Sequence, residues 1–115
     1  MARYTYLFTI TDSFENFRHS LTQILKSCDF DVIYDAGDYL MAREIVGDVS
    51  FSKLVIAEVL VNTSSDEGGL ANPTTFLSLI VKNEELPLYV DNHCQQKFKL
   101  LKQRIKQQEC VANHA

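Results

Sequence analysis

Two segments of the chain are apolar on both faces of the strand that each one predicts. Ser52–Asn62 and Thr74–Lys82 carry Val, Leu, Ile or Phe at odd and even positions alike. An antiparallel sheet with one face in water shows a cleaner alternation, so the surplus apolar face indicates a second cover. Since the chain has only two helical stretches, that cover is a second subunit, another protein or an enclosed ligand. The pattern leaves these three open.

Three further segments have the composition of strands. Arg3–Ile10 alternates aromatic or aliphatic side chains with polar ones, and Phe30–Asp35 does the same more briefly. Tyr39–Val46 follows after Ala-Gly-Asp, which is turn chemistry because glycine permits a positive φ. The sequence therefore predicts a hairpin over residues 30–46.

Two helices are predicted from apolar residues at helical spacing. Asp12-Ser-Phe-Glu15 has the pattern of a capping box and opens the first helix. The apolar stripe of that helix is Phe14, Phe17, Leu21, Ile24, Leu25 and Cys28. The stripe of the terminal helix is Val90, Cys94, Phe98, Leu101 and Ile105.

The order of elements predicts an α+β fold, β-α-β-β-β-β-α, with a curved, mostly antiparallel sheet and both helices packed on one face. We expect one domain over residues 1–108 and a frayed tail over 109–115. Thr63–Pro73 is predicted to be a loop, and whether it orders on binding stays open. This order resembles the helix-grip, TATA-binding-protein-like arrangement, which implies a last helix lying across the sheet but carries no function.

A short block also carries a resemblance. Val81-Lys-Asn-Glu-Glu-Leu-Pro87, together with Asp91-Asn-His-Cys94, is similar to small uncharacterised proteins of cyanobacteria and plastids. That resemblance implies a biological source and brings no assigned activity.

Composition indicates a globular protein of the cytoplasm or the plastid stroma. The first residues lack the charged-then-apolar pattern of a secretory signal, and no apolar run approaches the roughly 20 residues that span a bilayer. Cys28, Cys94 and Cys110 are widely spaced and form no Cys-x-x-Cys, which favours reduced thiols over a disulfide framework or a zinc site.

Charge is unevenly distributed along the chain. Residues 1–91 carry six Lys/Arg and 14 Asp/Glu, a net −8, whereas residues 92–115 carry five and one, a net +4. Lys99, Lys102 and Lys106 are predicted to face solvent on the last helix, where they either form a solvated face or recruit an acidic partner. Nucleic-acid binding is disfavoured, because the body is acidic and its strands show no basic–aromatic interleaving.

Candidate chemistry is sparse. His93 and Cys94 are adjacent, and neighbours on a helix point about 100° apart, so they do not form a nucleophile–base pair by themselves. Cys94 belongs to the apolar stripe and is expected in the core. Glu58 interrupts the most apolar strand, where a carboxylate needs a partner, and Arg43 on the preceding strand is a plausible one. No phosphate-binding, nucleophile-elbow or metal-ligand motif occurs, so no cofactor or metal is expected.

The sequence thus predicts a non-enzymatic interaction domain, an accessory, assembly or adaptor factor. It would bind protein, or itself as a homodimer, through an outer sheet face formed by Leu54, Ile56, Leu60, Phe76 and Ile80. One alternative is a binder of a small apolar ligand, in a pocket between terminal helix and sheet that Tyr34, Tyr39, Met41 and Glu58 would line. A further alternative is an enzyme that uses Glu58 or His93.

Overall fold

Five strands and two helices follow one another in the predicted order β-α-β-β-β-β-α in a computed structural model of the chain. The structure describes residues 1–11, 13–47, 53–65, 74–84 and 92–113. The elements are β1 (Ala2–Ile10), α1 (Phe14–Ser27), β2 (Phe30–Asp35), β3 (Tyr39–Glu44), β4 (Ile56–Ser65), β5 (Thr74–Asn83) and α2 (His93–Asn113). The predicted α+β class is confirmed.

The strands form one open, curved antiparallel sheet in the order β1-β5-β4-β3-β2. Strands β2 to β5 are consecutive neighbours, whereas β1 lies at the opposite edge from β2, which follows it in sequence. Helix α1 makes that crossing. Its 14 residues extend about 21 Å, close to the roughly 19 Å that separates the outermost of five strands. The length of α1 therefore matches the width of the sheet it crosses.

Helix α1 begins one residue later than the capping box predicts. Ser13 is the N-cap, with an extended backbone and a side chain that accepts from the N–H of Asn16, and Asp12 lies outside the described residues. The helix buries Phe14, Phe17, Leu21 and Leu25 against the sheet. It ends at Ser27 with Cys28 as its C-cap, and the next residue, Asp29, turns the chain with a φ of 67°.

Helix α2 is tied to the first strand where it begins. It starts from Asn92, whose Oδ1 accepts the N–H of Gln95 at 2.7 Å and whose Nδ2 donates to the Tyr4 hydroxyl of β1 at 2.9 Å. Of its predicted apolar stripe, Cys94, Leu101 and Ile105 are buried, Phe98 is half-buried, and Val90 lies outside the described residues.

Alternate residues of the central strands face the two helices and form a single core. Both helices lie on one face of the sheet, which we call the helix face. Its buried apolar residues from the three central strands and the residue before β4 are Leu40, Ala42, Val55, Ala57, Val59, Leu77, Leu79 and Val81.

Strand ends differ from the prediction by two or more residues at three places. Strand β3 ends at Glu44 rather than Val46, and β4 begins at Ile56 rather than Ser52. Strand β4 continues to Ser65, which pairs with Thr74, so the first three residues of the predicted loop are strand and the rest lies outside the described residues. Backbone pairing does not require apolar side chains, and a polar stretch can therefore extend a hairpin.

Helix α2 continues through residue 113, into the segment expected to fray. The buried apolar residues of α2 lie on one side of the helix, and its other sides are mostly polar. Among the described residues, no helix is both long enough and apolar enough to cross a membrane.

Candidate functional site

The sheet face opposite the helices, here called the outer face, carries most of the predicted interface residues. Ile56 and Leu60 of β4 alternate with the buried Val55, Ala57 and Val59, so they point away from the helices. The register of β4 and β5 places Ile80 and Phe76 on the same face, and the Phe76 side chain is 42% exposed. Leu54 precedes β4 and is half-buried. Four of the five predicted residues therefore share one surface.

Strand pairing extends the outer face across the sheet. Next to Ile80 lies Thr5 of β1, and two residues further along β1 is Leu7, which is 68% exposed. On β3, Tyr39 is opposite Leu60. Apolar side chains from at least four strands thus meet on a face that neither described helix covers.

A row of cations crosses one end of the outer face. Arg3 of β1 is opposite Lys82 of β5, Lys82 is opposite Ile56 of β4, and Ile56 is opposite Arg43 of β3. We call Arg3, Lys82 and Arg43 the cationic row. In the register of β2 and β3, Asp31 lies opposite Arg43, so the row ends there.

Glu58 lies at the centre of the outer face and is satisfied from within the chain. Lys82 Nζ lies 2.7 Å from Glu58 Oε1, and the Tyr39 hydroxyl donates to Oε2. The predicted partnership with Arg43 is wrong, because the cation that contacts the carboxylate is Lys82. Arg43 and Lys82 both lie opposite Ile56, each diagonal to Glu58 on a neighbouring strand, so register alone does not decide between them.

Two pKa values shift in this arrangement. Burial raises the pKa of Glu58, but hydrogen bonds from Lys82 and Tyr39 outweigh it, and the net pKa lies below the usual value. Burial, the hydrogen bond to Glu58 and the negative charge of that carboxylate raise the pKa of Tyr39 to about 12. The carboxylate is held ionised and the phenol neutral.

The residues predicted to line a pocket under the last helix lie on the other side of the sheet. Tyr39, Met41 and Glu58 face outward, and the Tyr34 and Tyr39 rings meet edge to face with centroids 5.8 Å apart. A register shift between Val32 and Tyr34 helps to set the side on which the β2 residues point. These four residues therefore belong to the outer face. Beneath α2, Leu101 of the helix is fully buried, and the ring of Phe98 stacks on that of Tyr4 of β1 with centroids 5.4 Å apart.

A second cluster of ionisable groups lies on the helix face, and the sequence did not predict it. Glu44, at the end of β3, is buried and accepts from the N–H of Val55 at 3.1 Å and from Nε2 of His93 at 2.8 Å. Lys97 Nζ lies 3.7 Å from Glu44 and donates to the carbonyl of Cys28 at 3.0 Å. We call Glu44, His93 and Lys97 the Glu44 cluster.

The Glu44 cluster borders a cleft of about 350 Å³. Asp29, Ile45, Val46 and Gly47 complete its lining. Ile45 and Val46 are more than half exposed, so the cleft has an apolar wall as well as charged groups. Its size is at the lower end for small-molecule sites. Within the described residues, no group of three or more His, Cys, Asp or Glu side chains is arranged to hold a metal ion.

The adjacent pair His93–Cys94 divides between two environments. Cys94 is fully buried, with Sγ 3.9 Å from the carbonyl of Ala2, whereas His93 faces Glu44. A sequence signal for the burial of Glu44 exists in the alternation of β3, where Leu40, Ala42 and Glu44 share the inward face. That pattern shows a buried carboxylate but not which distant side chain meets it.

The lysines of α2 do not form one solvent-facing stripe. Lys99 and Lys106 are exposed, whereas Lys102 is half-buried. Nζ of Lys102 lies 5.0 Å from the centroid of the Tyr6 ring, and that of Lys106 lies 5.7 Å from it. Two of the three lysines thus lie against β1, where cation–π attraction and their aliphatic stems favour contact.

Comparison with known proteins gives no family. No family model matches the chain, and no curated protein matches it. Among solved structures, the TTHA0849 protein of Thermus thermophilus is 15% identical, with 96% of this chain and 99% of that chain covered and a TM-score of 0.43. Ginseng major latex-like protein 151 from Panax ginseng is 9% identical, with 94% and 97% covered and a TM-score of 0.35. Likeness at this level assigns no function.

The coupling of Tyr39 to Glu58 gives a first prediction. In a pH titration of tyrosinate absorbance, the Tyr39 phenol should ionise near pH 12. Glu58→Gln removes a negative charge beside the phenol, so the pKa of Tyr39 should fall toward 10. Because the folded pKa of Tyr39 exceeds its unfolded value, the stability it contributes is present below pH 10 and lost as pH rises through 12.

The matched control for this titration is Asp38→Asn, a charge removed in the turn before Tyr39. It should leave the late ionisation in place. A Glu58→Gln protein in which Tyr39 still ionises near pH 12 would contradict the pairing.

Proposed function

We propose that the chain is a non-enzymatic interaction domain that binds a protein surface through its outer face, with a second copy of the chain as the occupant. One observation carries the proposal. The carboxylate at the centre of this apolar face is already paired with Lys82 and Tyr39. A partner could therefore cover Glu58 without burying an unpaired charge, which is the usual obstacle to burying an acid.

The dimensions of the outer face suit a protein interface. Five strands at about 4.8 Å spacing are about 24 Å wide, and the 10 residues of β4 extend about 33 Å. Since β2 and β3 are shorter, the face offers a footprint of order 600 Å² per partner, at the lower end of specific interfaces. Sheets pack face to face at about 10 Å, so an identical sheet is a suitable cover.

The distribution of charge is compatible with a two-fold pair. On β5, Lys82 of the cationic row and Phe76 lie at opposite ends of the outer face. A two-fold axis that reverses the strand direction sets the cationic row of one copy over the Phe76 end of its partner. Like charges then do not meet, and cations approach aromatic rings, which is favourable by about 0.5–1 kcal/mol at exposed sites.

The test is the mass of the protein in solution as a function of concentration. Sedimentation velocity should show a dimer, and Ile80→Lys should convert it to a monomer while thermal unfolding shows a folded protein. Leu7→Lys is a second variant at a position 68% exposed, where the new charge leaves the fold intact. Gln103→Lys on the exposed face of α2 adds the same charge elsewhere and should leave the dimer unchanged.

Two results would overturn this proposal. If the chain stays monomeric up to high concentration, it does not self-associate, and the proposed dimer is wrong. A dimer that survives both Ile80→Lys and Leu7→Lys uses another surface.

A second candidate function is favoured by the cleft beside the Glu44 cluster. Its volume of about 350 Å³ and its mixed apolar and charged lining suit a small molecule. Native mass spectrometry of the purified protein tests this directly, since a retained ligand adds its mass. A mass equal to that of the chain alone, before and after mild denaturation, would count against it.

A further inference from the structure

The two edges of the sheet differ in how open they are to another strand. Strand β2 has six residues and a register shift, two features that blunt an edge. Strand β1 has nine residues, contains no proline, and pairs with β5 from Ala2 to Ile10 without any shift. In the described part of the chain, β5 is the one strand hydrogen-bonded to β1. The long, regular edge is therefore β1.

Cations flank β1 on both faces of the sheet. Arg3 is exposed on the outer face beside Lys82. On the helix face, Lys102 and Lys106 lie over the ring of Tyr6. No Asp or Glu occurs within β1. A protein with a net negative charge thus carries four of its 11 Lys and Arg side chains beside one edge strand, two on each face of the sheet.

We propose that β1 binds an extended acidic segment of a partner protein, which adds to the sheet as a sixth strand. Main-chain hydrogen bonds supply affinity in such strand addition, and alternate side chains supply specificity. Successive side chains of an added strand point to opposite faces. Carboxylates at every second position of the added strand, on the helix face, would reach Lys102 and Lys106. Carboxylates at the positions between them, on the outer face, would reach Arg3.

The charge pattern favours an acidic segment over a second copy of β1. Antiparallel pairing of β1 with its own copy about Tyr6 would bring Lys102 and Lys106 of both copies to the same place. Like charges across an interface oppose association. The inference is independent of the proposed dimer, because it uses the edge of the sheet rather than its outer face.

A synthetic peptide tests the proposal. The probe is a fluorescein-labelled nine-residue peptide with the repeat Glu-Glu-Val-Val, equal in length to β1, which presents carboxylates on both faces of the added strand. Fluorescence anisotropy should show binding that weakens as salt is added. The double variant Lys102→Gln/Lys106→Gln should bind about tenfold more weakly, since each exposed ion pair contributes at most about a factor of five. Lys26→Gln/Lys53→Gln, two exposed lysines elsewhere, should bind as the unmodified protein does.

Hydrogen exchange separates strand addition from loose electrostatic attraction. With the peptide bound, backbone amides of β1 should exchange more slowly, while those of β2, at the other edge, should not change. The same peptide with proline at its centre removes a donor and should bind more weakly.

The proposal is overturned if the peptide does not bind, if β1 exchange is unchanged, or if the Lys102/Lys106 variant binds equally well. Sedimentation of the same proteins without peptide reports on the outer face separately. The two proposals can therefore fail independently.

Discussion

Replacing Glu44 by alanine is expected to lower the free energy of unfolding by about 3 kcal/mol. The carboxylate is 7% exposed and accepts from the N–H of Val55 and from His93, with Lys97 nearby. Without it, the buried N–H of Val55, just before β4, loses its acceptor, and His93 and Lys97 lose their contacts with the carboxylate. Chemical denaturation followed by circular dichroism measures the difference.

The controls for Glu44 are chosen by exposure and by chemistry. Glu15→Ala removes a carboxylate from an exposed site on α1 and should change stability by less than about 1 kcal/mol. Glu44→Gln keeps a carbonyl oxygen that can still accept, so its loss should be smaller than that of the alanine variant. If Glu44→Ala and Glu15→Ala were equally stable, the Glu44 cluster would make no particular contribution to the free energy of unfolding.

Leu101→Ala is expected to lower the free energy of unfolding by about 3 kcal/mol, within the range for buried leucines. Leu101 is fully buried between α2 and the sheet. Its neighbour Leu100 is half-buried at the margin of the core, so Leu100→Ala should cost only about 1 kcal/mol. The two variants delete the same atoms one position apart, and their difference reports how α2 is rotated about its axis. Equal losses, or a larger loss at position 100, would place the wrong side of α2 on the sheet.

The sequence predicted the fold well because the elements follow from local patterns. Apolar spacing located α1, and alternation located β1, since both depend on residues a few positions apart. Short connections between β2 and β5 then left few ways to order the strands. The end of β3 was missed because Ile45 and Val46 look like strand residues, although they are exposed beyond it.

The candidate site was predicted less well, because it depends on contacts between distant residues. The alternation of residues along β4 predicted that Ile56 and Leu60 lie on a common face, and they do so in the structure. The partner of Glu58 required knowledge of the register on both neighbouring strands, and Lys82 lies on the strand that was not considered. The pairing of Glu44 with His93 joins residues 49 positions apart, and no local pattern signals it.

The crossing helix also fixes the order in which the sheet can be completed. Because α1 carries the chain from β1 to the opposite edge, β1 can pair only when β5 is available. Ile10 then lies opposite Thr75, and Ala2 lies opposite Asn83. Every β1–β5 pair therefore joins residues at least 65 positions apart, whereas the β2–β3 hairpin closes within a few residues. Closing the larger loop costs more chain entropy, and contacts of this separation slow folding. During synthesis on the ribosome, β1 must stay without this sheet neighbour while the 63 residues between β1 and β5 are made.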